Sequence, residues 1–106
     1  MINLVTQKRE GIAEHCRRLN VRRLDVFGSA ARGDDFNPET SDVDFLVEFN
    51  EFHGHDEHGM ARNYLDLEKS LEALFERKVD LVTARPFKNP YFRASIEASK
   101  EPVYET

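Results

Sequence analysis

Apolar residues recur along this chain with two periods, and the change from one to the other lays out the fold. Ile12, Cys16 and Leu19 fall at i, i+4 and i+7, while Lys8, Arg9, Glu10, Glu14, Arg17 and Arg18 take the other positions. This predicts an amphipathic helix over residues 6–19. Thr6 is its expected N-cap and Asn20 its left-handed stop. Gly11 weakens it by about 1 kcal/mol relative to alanine. A first strand is predicted over 24–27 and a second over 43–49, where Val43, Phe45, Val47 and Phe49 alternate with Asp44, Leu46 and Glu48. Met60, Tyr64, Leu67, Leu71 and Leu74, widened by Phe75, give the clearest helix, over 60–77, and read as core. A third strand over 79–82 sets Val79 and Leu81 on one face and Asp80 on the other. Asn89-Pro90 opens a last helix, a capping side chain followed by proline at the first helical position. Tyr91, Phe92, Ile96 and Ala98 are expected to dock it on the sheet. Pro102 is expected to end it, leaving Val103-Tyr104 as a short strand or an apolar tail. The order α-β-α-β-α-β-α implies an α/β (α+β) fold, a small mixed sheet flanked by helices, in one domain over residues 1–106.

Two interruptions of this pattern carry chemistry. After Val26-Phe27 the apolar run stops at Gly28-Ser29. Glycine opens backbone angles closed to other residues and lets a ligand approach the main chain. A helix beginning at Ser29 would turn unsatisfied N–H groups toward an anion. The second interruption is Asp42-Val43-Asp44, where the second strand starts. Strand side chains alternate, so the two carboxylates share a face. Paired carboxylates across from a phosphate-sized anion hole suggest Mg²⁺ and a nucleotide. Asp80, within an otherwise apolar strand, is costly unless paired or metal-bound. The plain alternative is an aspartate on an edge strand facing water.

Composition narrows the class. The net charge of −5 argues against a general nucleic-acid binder. The basic pairs Lys8-Arg9, Arg17-Arg18 and Arg22-Arg23 read as a solvated face balanced by nearby acids. The one cysteine, Cys16, cannot form an intrachain disulfide, as expected in a reducing cytoplasm, and its place on the apolar stripe assigns it to core packing. No signal peptide and no membrane span are read. His53, His55 and His58 cluster in an acidic loop whose spacing matches no standard zinc pattern.

Gly28-Ser29-x-x-Arg32-Gly33, seven residues, then Ser41-Asp42-x-Asp44 resembles the signature of the DNA polymerase beta-like nucleotidyltransferases. Within that superfamily, most of the chain resembles the minimal nucleotidyltransferases (MNT) encoded beside HEPN toxins. The resemblance implies a polymerase beta palm-like fold and a third catalytic carboxylate at Asp80. It further implies that Asp42, Asp44 and Asp80 are catalytic and hold two Mg²⁺ ions, and that Gly28 and Ser29 receive the phosphates of ATP. Arg32 would add charge there or pair with Asp34 or Asp35, and Ser41 would orient the loop before Asp42. Carried through, the resemblance implies a cytoplasmic protein adenylyltransferase that transfers AMP to a tyrosine of a HEPN toxin, the antitoxin of a type VII pair.

Two other readings stand beside this one. One is a small-molecule nucleotidyltransferase, of the kind that modifies aminoglycosides. The other is a non-catalytic antitoxin that only covers its toxin, although such an inhibitor has no need of the Gly-Ser turn or three aspartates.

Overall fold

The computed structural model describes residues 2–33, 37, 42–50, 57–83 and 90–106, apart from the side chains of Glu57, His58 and Met60. Its elements are helices α1 (Asn3–Gln7) and α2 (Arg9–Arg18), strand β1 (Val21–Phe27), the short helix α3 (Ser29–Arg32) and strand β2 (Val43–Phe49). Helix α4 (Glu57–Phe75), strand β3 (Val79–Thr83), helix α5 (Pro90–Ser99) and strand β4 (Glu101–Glu105) follow. The sheet order is β3-β2-β1-β4. β1 runs antiparallel to both β2 and β4, whereas β2 and β3 are parallel, so the sheet is mixed. No helix among the described residues is long and apolar enough to cross a membrane.

The two faces of β2 divide the molecule. Val43, Phe45 and Val47 pack with Leu24, Val26, Val79 and Leu81 beneath the apolar stripes of α2 and α4, where Ile12, Cys16, Leu67 and Leu71 are fully buried. Each such side chain contributes about 1.5–3 kcal/mol by leaving water. Leu46, on the opposite face, joins Phe27 and Ile96 in a smaller cluster beneath α5. The smaller cluster covers that face only in part, and the uncovered part holds Asp44 and Asp80.

Several elements differ from the pattern. The first helix is two helices, and Thr6 lies inside α1, its hydroxyl bonding the Ile2 carbonyl at 3.4 Å rather than capping. Burial of Val5 explains the added turn, with Ile2 N–H anchored on the Ala30 carbonyl at 3.0 Å. Asn20 adopts the expected left-handed conformation, with φ 61°. β1 starts at Val21, earlier than alternation suggested, because its pairing with β2 shifts register between Val21 and Arg23. That irregularity breaks the period-two pattern from which strands are read. Arg23 Nε holds the buried Asp25 carboxylate at 3.0 and 3.1 Å, so that charge enters the sheet paired.

Helix α5 ends at Ser99, ahead of Pro102, which sits within β4 at the edge of the sheet. An edge strand can spare the missing N–H. Of the four residues expected to dock α5, Ile96 is buried, Phe92 is partly exposed, and Tyr91 and Ala98 face outward. The cap at Asn89 lies outside the described residues.

Candidate active site

β1 delivers Gly28 to the end of the sheet beside the first residues of β2. Gly28 has φ 68° and ψ −148°, a conformation essentially reserved for glycine. A Cβ there would stand 2.7 Å from Asp44 Oδ2, so the missing side chain is also what lets the turn close on the carboxylate. The Gly28 carbonyl accepts from Ala31 N–H at 3.1 Å and Arg32 N–H at 3.0 Å, which starts α3 at Ser29 as expected. Gly33, with φ 81°, ends it. The Gly28 N–H donates to Ser99 Oγ at 3.0 Å, so this amide is engaged within the chain. The amides of Ser29 and Ala30 bond no described residue.

Two of the three aspartates meet through strand register. Asp44 lies opposite Phe27 in the antiparallel ladder and opposite Asp80 in the parallel one. Burial, then the charge of Asp80 and a hydrogen bond shared with it, and then the charge of Asp42 push the Asp44 carboxyl up to about 6; Arg32 opposes this. Arg32 therefore acts on the Asp44 carboxyl across the turn. Asp80 is exposed on the edge strand β3, but it faces a second carboxylate and not water alone.

The donor set suits a hard dication. Two carboxylates held side by side repel each other and gain by sharing a cation, and Mg²⁺ takes few protein carboxylates beside substrate phosphates. Among the described residues no group of three acidic, imidazole or thiolate side chains is placed to hold a metal ion, so the structure brings together Asp44 and Asp80 but does not complete a three-carboxylate cluster with Asp42. Ser41, Asp34, Asp35, His53 and His55, like the side chain of His58, lie outside the described residues.

A cavity of about 430 Å³ opens beside the pair, lined by Phe27, Asp44, Tyr64, Glu68, Asp80, Leu81, Val82 and Phe92. Phe27 and Phe92 meet edge to face, with centroids 6.5 Å apart at 83°. Tyr64, read from its spacing as core, has a double part. Its ring leans on the core, while its hydroxyl donates to the Leu81 carbonyl next to Asp80. Burial, then Glu68 and Asp80, raise its phenol above the ordinary tyrosine range. Tyr64 and Glu68 stand one turn apart on α4, so the i, i+4 rule could have flagged the pair.

Residues 9–103 match the nucleotidyltransferase domain family. The chain is 40% identical over 72 residues to protein adenylyltransferase MntA of Thermococcus cleftensis, covering 68% of this chain and 65% of that one. A solved chain described as a candidate minimal nucleotidyltransferase is 32% identical and superposes with a TM-score of 0.70 over 95% of this chain and 96% of its own. The fold also recurs in a chain of the complex described as a tri-AMPylated Shewanella oneidensis HEPN toxin with MNT antitoxin, matched at 15% identity with a TM-score of 0.62 over 96% of this chain and 73% of that one. The chain belongs to the nucleotidyltransferase domain family, and its sheet and helices are those of the minimal nucleotidyltransferases.

Proposed function

We propose that this chain is a cytoplasmic, Mg²⁺-dependent protein adenylyltransferase that moves AMP from ATP to a tyrosine hydroxyl of a cognate HEPN toxin, as the antitoxin of a type VII pair. The observation that carries the proposal is the ladder pairing of Asp44 with Asp80 beside the glycine turn at Gly28. The relatives named for protein adenylyltransfer and the fold shared with MNT antitoxins support it.

In the reaction the acceptor oxygen forms a bond to the α-phosphorus of ATP. The bond from that phosphorus to the bridging oxygen breaks, pyrophosphate leaves, and the phenolic proton passes to water. Asp42, Asp44 and Asp80 would hold Mg²⁺, two ions by family resemblance, which when bound stabilises charge on the entering and leaving oxygens. Ser29 offers its N–H and hydroxyl to the phosphates, and Arg32 adds positive charge near the carboxylates. Ser41 is assigned to orient the approach to Asp42. Leu81, Val82 and the two phenylalanines give the acceptor side an apolar wall.

A small-molecule acceptor is the second reading, favoured by the cavity, whose 430 Å³ falls in the size range of small-ligand pockets. The test is to co-express the chain with the protein encoded beside it and to weigh that partner. An adenylyl adduct on a tyrosine supports the proposal. An unmodified partner, with adenylyl transfer to a free aminoglycoside-like alcohol, overturns it in favour of the second reading.

A further inference from the structure

We infer that Ser99 is a positioning residue for nucleotide use, its hydroxyl holding the Gly28 turn at a fixed spacing from Asp44. The inference rests on the proposed nucleotidyl transfer and adds to it a residue far away in sequence.

Ser99 is the last residue of α5. Its Oγ accepts from Gly28 N–H at 3.0 Å and donates to the Ser95 carbonyl at 3.2 Å. An N–H can only donate, so the direction of both bonds is settled, and the hydroxyl proton is committed away from the turn. Ser99 is itself held from both sides. Ile96, one turn earlier, is buried against Phe27 and Leu46, and Lys100 N–H returns to the Ile96 carbonyl at 2.8 Å. Glu101 then pairs with Val26, two residues before Gly28. The end of α5 is thus a fixed post beside the turn.

The turn needs one. A backbone at φ 68° and ψ −148° persists only where its surroundings over-determine it. Two N–H groups of α3 hold the Gly28 carbonyl, and Ser99 holds the other end of the residue. On the Asp44 side there is no slack, because even a Cβ would come within 2.7 Å of Oδ2. Removing the hydroxyl releases Gly28 N–H and with it the spacing of the turn from the carboxylates.

The experiment compares Ser99→Ala and Ser99→Thr with the wild-type chain, each with the partner protein as acceptor. Ser99→Ala is expected to raise the KM for ATP about fivefold, the worth of one hydrogen bond. The KM for the partner should hold, the melting temperature should fall by about 4–8 °C for the lost bonds, and Ser99→Thr, which keeps the hydroxyl, should restore both the ATP value and the melting temperature. Affinity for a non-hydrolysable ATP analogue, measured separately, should follow the same order, so this inference stays readable even if no adduct forms. Wild-type ATP affinity in Ser99→Ala overturns it, as does tighter binding, which would mean that Ser99 occupies a phosphate's place. An equal rise in both KM values, or failure of threonine to rescue, would reduce Ser99 to a general structural role.

Discussion

The backbone of Gly28 lies so close to Asp44 that any side chain at position 28 would meet its carboxylate: a Cβ would sit 2.7 Å from Oδ2. The turn proposed to receive the phosphates and the carboxylate proposed to hold the metal are therefore one packed unit. Gly28→Ala should cost about 1–3 kcal/mol through its positive φ alone. It should also displace Asp44 and reduce nucleotidyl transfer more than it reduces stability. Urea unfolding and a transfer assay on the same preparation check both. Transfer at the wild-type rate would show that the turn does not serve the reaction.

Asp44 also sets a pH dependence. Its carboxyl is raised from 3.8 to about 6 by burial and by its acidic neighbours, so the metal-free folded chain binds a proton that the unfolded chain releases earlier. The sign follows from linkage: this contribution is full below about pH 4 and is lost as pH rises through about 6. In Asp44→Asn the loss should be absent, and the difference in urea stability between the two proteins should turn in favour of the variant across that interval. Mg²⁺ competes with the same proton, so its affinity for the wild type should climb over the same range. A wild-type-minus-variant difference that does not change with pH would contradict the Asp44–Asp80 pairing.

Cys16 has no exposed surface, and burial pushes its thiol up to about 12. A small thiol reagent should leave the folded chain unlabelled and react only after denaturant unfolds it. Rapid labelling of the native chain would place Cys16 outside the core.

Local pattern made the strands and the long helix legible, because their apolar positions answer to one sheet. β2 runs over 43–49 as its alternation predicted. The stripe through Leu67, Leu71 and Phe75 is buried as expected. Asp42, Asp44, Gly28 and Ser29 were legible as a motif because their chemistry is written within seventeen consecutive residues. Asp80 is different. Its place inside an apolar strand marks it as needing a partner, but that partner is 36 residues away and only the parallel register of β2 with β3 puts it opposite Asp44, so its pairing comes through family resemblance. Ser99 left no local signal at all. A serine near a helix end is common, and its bond to Gly28 spans 71 positions.

Tyr64 shows what periodicity leaves out. Its spacing marks it as core, and its ring does touch the core, yet its hydroxyl reaches the Leu81 carbonyl beside the acidic pair. Tyr64→Phe removes that bond and should cost about 0.5–1.5 kcal/mol in urea unfolding. It should also lower transfer by loosening the edge strand that carries Asp80. Unchanged stability and unchanged transfer together would show that the hydroxyl is idle.

Asp42→Asn combined with Asp44→Asn separates catalysis at the aspartates from simple coverage of a toxin. The change removes two charges at nearly constant shape, so the fold and the partner-binding surface should persist, while neutral amides are poor ligands for a hard dication. The measurement is the mass of the partner toxin recovered from cells co-expressing the double variant, read beside the growth of those cells. The complex is expected to form, the adenylyl adduct to be missing and growth to stay poor. Full growth with an unmodified toxin would contradict catalysis at the aspartates.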